Sequence, residues 1–131
     1  MSTSPSGRVL IDTCAWVDFL RARDGALGDQ VESAMADDRA CLCSVSVAEL
    51  LQGVKGQKEQ RQLELLFDNV TLLHVEPEDW VSAGQALRIH RSKGFQIPLT
   101  DALMAAVAIR LGLPVLTVDS HFGRLGVTLS S

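Results

Sequence analysis

Short unbroken apolar runs alternate along this chain with longer stretches in which apolar residues recur every three or four positions. The first pattern marks buried strands and the second amphipathic helices. Residues 8–11 read as a strand, and a helix over 15–21 follows with Trp16, Phe19 and Leu20 on one face. Gly25 breaks it, and Leu27, Val31, Ala34 and Met35 mark a second helix. Residues 40–45 return to strand, helices follow over 46–54 and 57–67, and 71–75 alternates into a third strand. Pro77 suits the first turn of a helix that runs through Trp80, Ala83, Leu87 and His90 until Gly94. Thr100 is placed to cap a helix over 101–111, which Gly112 and Pro114 stop. Residues 115–117 form a fourth strand and 127–129 a short fifth. Strands separated by helices need crossover connections, so the pattern predicts a three-layer α/β/α fold around a mostly parallel sheet of four to five strands. No internal repeat or linker interrupts it. Residues 8–131 read as one domain behind a polar tail of residues 1–7.

Against this pattern four acids stand out: Asp12, Glu49, Asp101 and Asp119. Each lies where an apolar element gives way to a turn or a helix start. In open α/β sheets, ligands bind beyond the carboxyl ends of the strands. Asp12 ends the first strand and Asp119 lies just past the fourth, so topology can gather all four acids at that edge. Carboxylates against apolar segments are costly unless their charge is compensated. Hard divalent cations prefer such oxygen ligands, and carboxylate-held metals are a recurring device for hydrolysing phosphodiesters. Each acid also has a plainer use. Asp12 could only cap the next helix, Ser46 and Glu49 match a capping box, Asp101 suits a helix start, and Asp119 suits a turn.

The net charge of −4 changes how a nucleic-acid substrate could be held. The four acids account for all of it, so the remainder is formally neutral, and no broad basic surface is available. Affinity would have to come from local patches: Arg88, His90, Arg91 and Lys93, or Arg21 with Arg23. Both patches also suit solvated helix ends. Three cysteines without a CxxC spacing point to buried thiols in a reducing, cytoplasmic setting rather than to zinc or disulfides. The apolar runs are too short to cross a bilayer. Neither a GxxxxGK[ST] loop nor a GxGxxG turn occurs, which removes support for a nucleotide cofactor.

Four segments carry a family resemblance. Val9-Leu10-Ile11-Asp12-Thr13 before an aromatic-bearing helix resembles the opening of PIN-domain ribonucleases. Val47-Ala48-Glu49-Leu50-Leu51-Gln52-Gly53 resembles their second motif, the run from Pro98 through Asp101 to Ala106 the third, and Leu116-Thr117-Val118-Asp119-Ser120-His121-Phe122 the fourth. Within that family the chain most resembles VapC-type toxins of type II toxin–antitoxin pairs. The resemblance implies a PIN-like fold and a metal-dependent endoribonuclease that inhibits translation or growth. Its Mg2+ or Mn2+ would be held directly by Asp12 and Asp101, and by Glu49 and Asp119 directly or through water. It further implies products with 3′-hydroxyl and 5′-phosphate ends, a cognate antitoxin protein, and a homodimer. Thr117 would contribute its hydroxyl to the site. No histidine base is required; His74, His90 and His121 are scattered, and His121 alone stands close to an acid. Trp16, Phe19, Leu50, Leu51 and Leu66 exceed what one small core readily holds, and a surplus would form a groove for an amphipathic partner segment. The alternative is a non-catalytic PIN-like module that binds RNA or protein. A haloacid-dehalogenase-like phosphatase is disfavoured because Cys14 stands where its second Asp belongs. A receiver domain is disfavoured because no lysine follows Lys93.

Overall fold

A computed structural model describes residues 7–21 and 25–130. Four short strands form one parallel sheet in the order β3-β2-β1-β4. They are β1 (Val9–Ile11), β2 (Ala40–Cys43), β3 (Thr71–Leu73) and β4 (Val115–Leu116). Helices α1 (Thr13–Leu20) and α2 (Ala26–Ala36) lead to β2, and α3 (Ser44–Gln52) and α4 (Gln57–Asn69) lead to β3. Helices α5 (Pro77–Ser92) and α6 (Leu99–Leu111) bring the chain back to β4, and α7 (His121–Arg124) follows it.

Side chains alternate across a strand, and the two faces of this sheet fill two cores. Val9, Ile11, Leu42 and Leu116 pack with Trp16, Val31, Leu50, Leu63 and Leu66 from α1 to α4. Leu10, Cys43 and Val115 point the other way, into Met104, Val107 and Ala108 of α6 and Phe122 of α7. Helix α6 is buried continuously over residues 102–108, because the sheet lies on one side and α5 on the other. Its alanines let both neighbours approach. Gly112 ends it in the left-handed conformation, with φ of 69°, where a side chain would be strained.

The three-layer parallel architecture agrees with the expectation, with three local corrections. The helix over α6 begins at Leu99 with Pro98 as its cap residue, so Thr100 lies inside the first turn and caps nothing. The fifth strand reduces to one parallel bridge, Val115 to Leu129. Of the five apolar residues considered too many for the core, Trp16, Leu50 and Leu66 are buried, Phe19 packs against them, and Leu51 alone is exposed. Arg23 lies outside the described residues. Among the described residues, no helix is long and apolar enough to cross a membrane.

Chain order fixes where a site can form. The path runs from β1 outward to β3 with its helices on one face. It then returns to place β4 on the other side of β1, with α5 and α6 on the opposite face. The order therefore reverses between β1 and β4, and a crevice opens at such a switch point.

Candidate active site

Asp12 is the first residue past β1, at that switch point, and it is the N-cap of α1. It is 5% exposed, so its charge needs donors. Three converge on it. The amide of Thr13 donates to Oδ1 at 2.7 Å, and the Thr117 hydroxyl and the Cys14 thiol donate to Oδ2 at 2.7 and 3.2 Å. Burial pushes the Cys14 thiol up, which keeps its proton on sulfur and available to Asp12. Capping and site geometry thus coincide in Asp12.

Thr117 joins the ends of β1 and β4. Besides donating to Asp12, its oxygen accepts from the amide of Asp119 at 2.9 Å. Asp119 in turn accepts from the amide of His121 at 2.9 Å, a side-chain-closed turn that starts α7.

Glu49 comes from the neighbouring strand–helix unit. The capping box that was the plainer alternative for Ser46 and Glu49 is not formed, because α3 starts at Ser44 with Cys43 as its cap residue. Glu49 instead accepts from the Thr13 hydroxyl at 2.6 Å, and that hydroxyl lies 2.8 Å from the buried Ser46 oxygen. Thr13, next to Asp12, therefore orients the second acid.

Asp101 occupies the first turn of α6, where the helix dipole favours an anion. The His121 ring lies beside it, with Nδ1 at 3.5 Å. Burial, followed by the charges of Asp12 and Asp119, pushes its carboxyl from 3.8 up to about 6, and His121 offsets only part of this. The same Nδ1 lies 3.3 Å from Asp119, yet it is buried and makes no well-aligned hydrogen bond. Ligand atoms of Asp101, Asp119 and His121 all lie within 4.8 Å of one another. Two carboxylates and an imidazole around an unbalanced negative charge are a donor set that fits a divalent cation.

Asp101 and Asp119 thus meet at His121 within ligand distance, whereas Asp12 and Glu49 lie outside that group and are tied to it through Thr117 and Thr13. The part played by His121 was not legible beyond its closeness to Asp119, since it depends on α7 turning the ring back over the cluster. The other histidines lie elsewhere. His74 offers its backbone oxygen to Arg110, and the His90 ring sits between the carbonyls of Ala86 and Arg124, at 2.8 and 3.0 Å. Besides Asp12, one other acid among the described residues is buried, Asp79, and it belongs to the scaffold: Arg110 grips it through two hydrogen bonds of 2.9 Å.

Residues 9–127 match the PIN domain family. The chain belongs to the PIN-domain family. Among curated relatives of this PIN domain, Ribonuclease VapC5 of Mycobacterium tuberculosis is 34% identical over 133 residues, covering 95% of this chain and 92% of the relative. VapC ribonuclease Mb1587 of Mycobacterium bovis is 30% identical over 118 residues, covering 87% and 88%. Among solved structures, the DNA-bound VapBC complex of Salmonella typhimurium superposes with a TM-score of 0.78 at 17% identity, over 94% of this chain and 96% of that chain. VapBC-5 of M. tuberculosis, a member of the VapBC family of toxin–antitoxin systems, gives 0.60 at 27% identity, over 95% and 96%.

Proposed function

We propose that this PIN domain is a divalent-metal-dependent endoribonuclease whose site is Asp12, Glu49, Asp101 and Asp119. The observation that supports it most is the closeness of Asp101, Asp119 and His121, beside an Asp12 whose charge helps push Asp101 up. Asp12 and Asp101 would hold Mg2+ or Mn2+ directly, and Glu49 and Asp119 directly or through water. The bound ion supplies positive charge at the phosphodiester and acidity for a water nucleophile. The protein's own residues fix the geometry. Thr117 and Thr13 aim the carboxylates of Asp12 and Glu49, and α7 closes Asp119 and His121 over the cluster.

The chain acts in the cytoplasm as the toxin of a toxin–antitoxin pair, as a homodimer held inactive by a cognate antitoxin protein. A pocket of about 110 Å³ supports an antitoxin seat: Leu20, Leu50, Val54 and Leu63 line it, Arg21 and Glu59 add charge, and Glu49 forms part of its wall. The domain extends over residues 8–131, enclosing the family match.

The test is cleavage of total cellular RNA by wild type and Asp12→Asn. Discrete fragments from wild type, and at least ~100-fold fewer from the variant, are expected because losing a ligand removes nucleophile activation and charge stabilisation together. No cleavage by wild type across several divalent ions would leave a binding module instead.

A further inference from the structure

A cleft of about 640 Å³ opens where α3, α5 and α6 meet. Helix α3 contributes Glu49 and Gln52, α5 contributes Trp80, and α6 contributes Thr100 and Leu103 above Val75. The cleft therefore shares Glu49 with the acid cluster, and Thr100 directly precedes Asp101. A phosphodiester held at the acids would have the nucleotide beside it at this opening. The volume lies within the ~300–1,000 Å³ of clefts that take ligands of about that size.

Three features of the cleft suit a nucleobase. Trp80 is 54% exposed, so its ring presents open surface. The backbone beneath it is rigid, because the adjacent Asp79 is 1% exposed, gripped by Arg110 and bonded to the amide of Glu76 at 2.8 Å. The side chains of Gln52 and Thr100 make no hydrogen bond within the described residues, which leaves an amide and a hydroxyl to meet a base edge. Stacking also needs no positive charge, which suits a chain of net charge −4.

Resting on the ribonuclease reading, we infer that this cleft is a base subsite, in which Trp80 stacks an unpaired base next to the scissile phosphate while Gln52 and Thr100 hydrogen-bond its edge. The substrate is then single-stranded at the cut, since bases in a duplex are stacked on one another and cannot reach the indole. Val81, 62% exposed beside Trp80, would equally suit a second copy of this chain, but the unpaired side chains of Gln52 and Thr100 and the shared Glu49 favour the base.

The test uses the two tryptophans. Trp16 is 0% exposed, so fluorescence quenching on ligand binding reports Trp80. The full chain is mixed in stopped flow with a short single-stranded oligoribonucleotide, its abasic counterpart and its duplex, and steady-state cleavage is measured for Trp80→Ala and Trp80→Phe. Quenching by the single strand alone is expected. KM should rise about tenfold in Trp80→Ala, with kcat little changed, and return towards wild type in Trp80→Phe. An unquenched Trp80 and unchanged KM, in a protein that still cleaves RNA, would overturn the subsite and leave the nuclease standing. A Trp80→Ala variant that turns a dimer into a monomer at unchanged KM would assign the face to a second copy. Quenching without cleavage by wild type would keep the subsite and sink the nuclease. Neither quenching nor cleavage would end both.

Discussion

Asp101 carries most of the electrostatic strain of the acid cluster. Three donors compensate Asp12 and Thr13 compensates Glu49, whereas among the described residues Asp101 has only the His121 ring at 3.5 Å. Its folded carboxyl titrates at about 6 against 3.8 in the open chain, so the folded state holds its proton longer. Below 3.8 both states are protonated and no penalty exists. As pH rises through that window the unfolded chain ionises first, stability falls, and the deficit is complete above about 6. Asp101→Asn should therefore raise the melting temperature at neutral pH, by a shift equivalent to about 1–2 kcal/mol, and should gain nothing near pH 3. Manganese should stabilise wild type in a concentration-dependent way and the variant much less. Thermal melts across pH and manganese check both. A second residue-scale expectation concerns Thr117, which serves Asp12 and Asp119 together. Thr117→Val should lower cleavage about 10–100-fold, the usual cost of losing a partner that orients a ligand, while RNA binding measured by filter retention changes little. At this scale the acids were legible because polar residues at the ends of apolar elements stand out in the pattern. Of their cradle, Thr117 was reached only through the family resemblance and His121 only by its closeness to Asp119, and the role of Thr13 was not legible, since its hydroxyl meets Glu49 36 positions away.

Elements were legible where they are long and periodic, and obscure where a local competitor acts. Helix α4 shows its face openly, with Leu63 and Leu66 buried among exposed polar residues. Helix α6 starts two residues earlier than expected because the carbonyl of Pro98 already accepts the amide of Ala102 at 3.1 Å, so proline geometry overrides the capping preference of Thr100. Helix α7 has four residues and a glycine, too few to show a period. The capping box lies at Glu76 and Asp79, where acid replaces the usual hydroxyl, and not at Ser46 and Glu49. Asp79 also fastens α5 to α6 through Arg110. The guanidinium and the amide of Glu76 hold the Asp79 carboxyl below its usual range, against the opposing effect of burial. The pair therefore stabilises the fold above the ordinary carboxylate range, and that contribution is lost as acid protonates Asp79. Arg110→Met should cost about 2–3 kcal/mol in urea unfolding, below the ~3–5 kcal/mol of a fully buried pair because Arg110 is partly solvated. Asp79→Asn added to it should recover part of the loss, since the stranded charge is gone.

For the whole molecule, fold and charge place different demands on the sequence. The alternation of strand and helix required a layered parallel sheet, and the reversal of strand order between β1 and β4 brings the ends of distant segments together. The net charge of −4 lies in effect at the acids, so RNA must be gripped by local groups. Arg88, Arg91 and Lys93 are exposed around the end of α5, and His90 is held by two carbonyls. Replacing those three cations should flatten the dependence of RNA affinity on salt, by roughly one unit of slope for each phosphate no longer neutralised. An unchanged slope would make them ordinary helix-end charges. The central claim, hydrolysis of RNA by water at a carboxylate-held metal, is tested most directly by the chemistry of the cut ends. RNA cleaved in manganese should carry 5′-phosphate and 3′-hydroxyl ends, and excess chelator should abolish the cuts. Ends carrying 2′,3′-cyclic phosphate, or cleavage that persists in chelator, would contradict it.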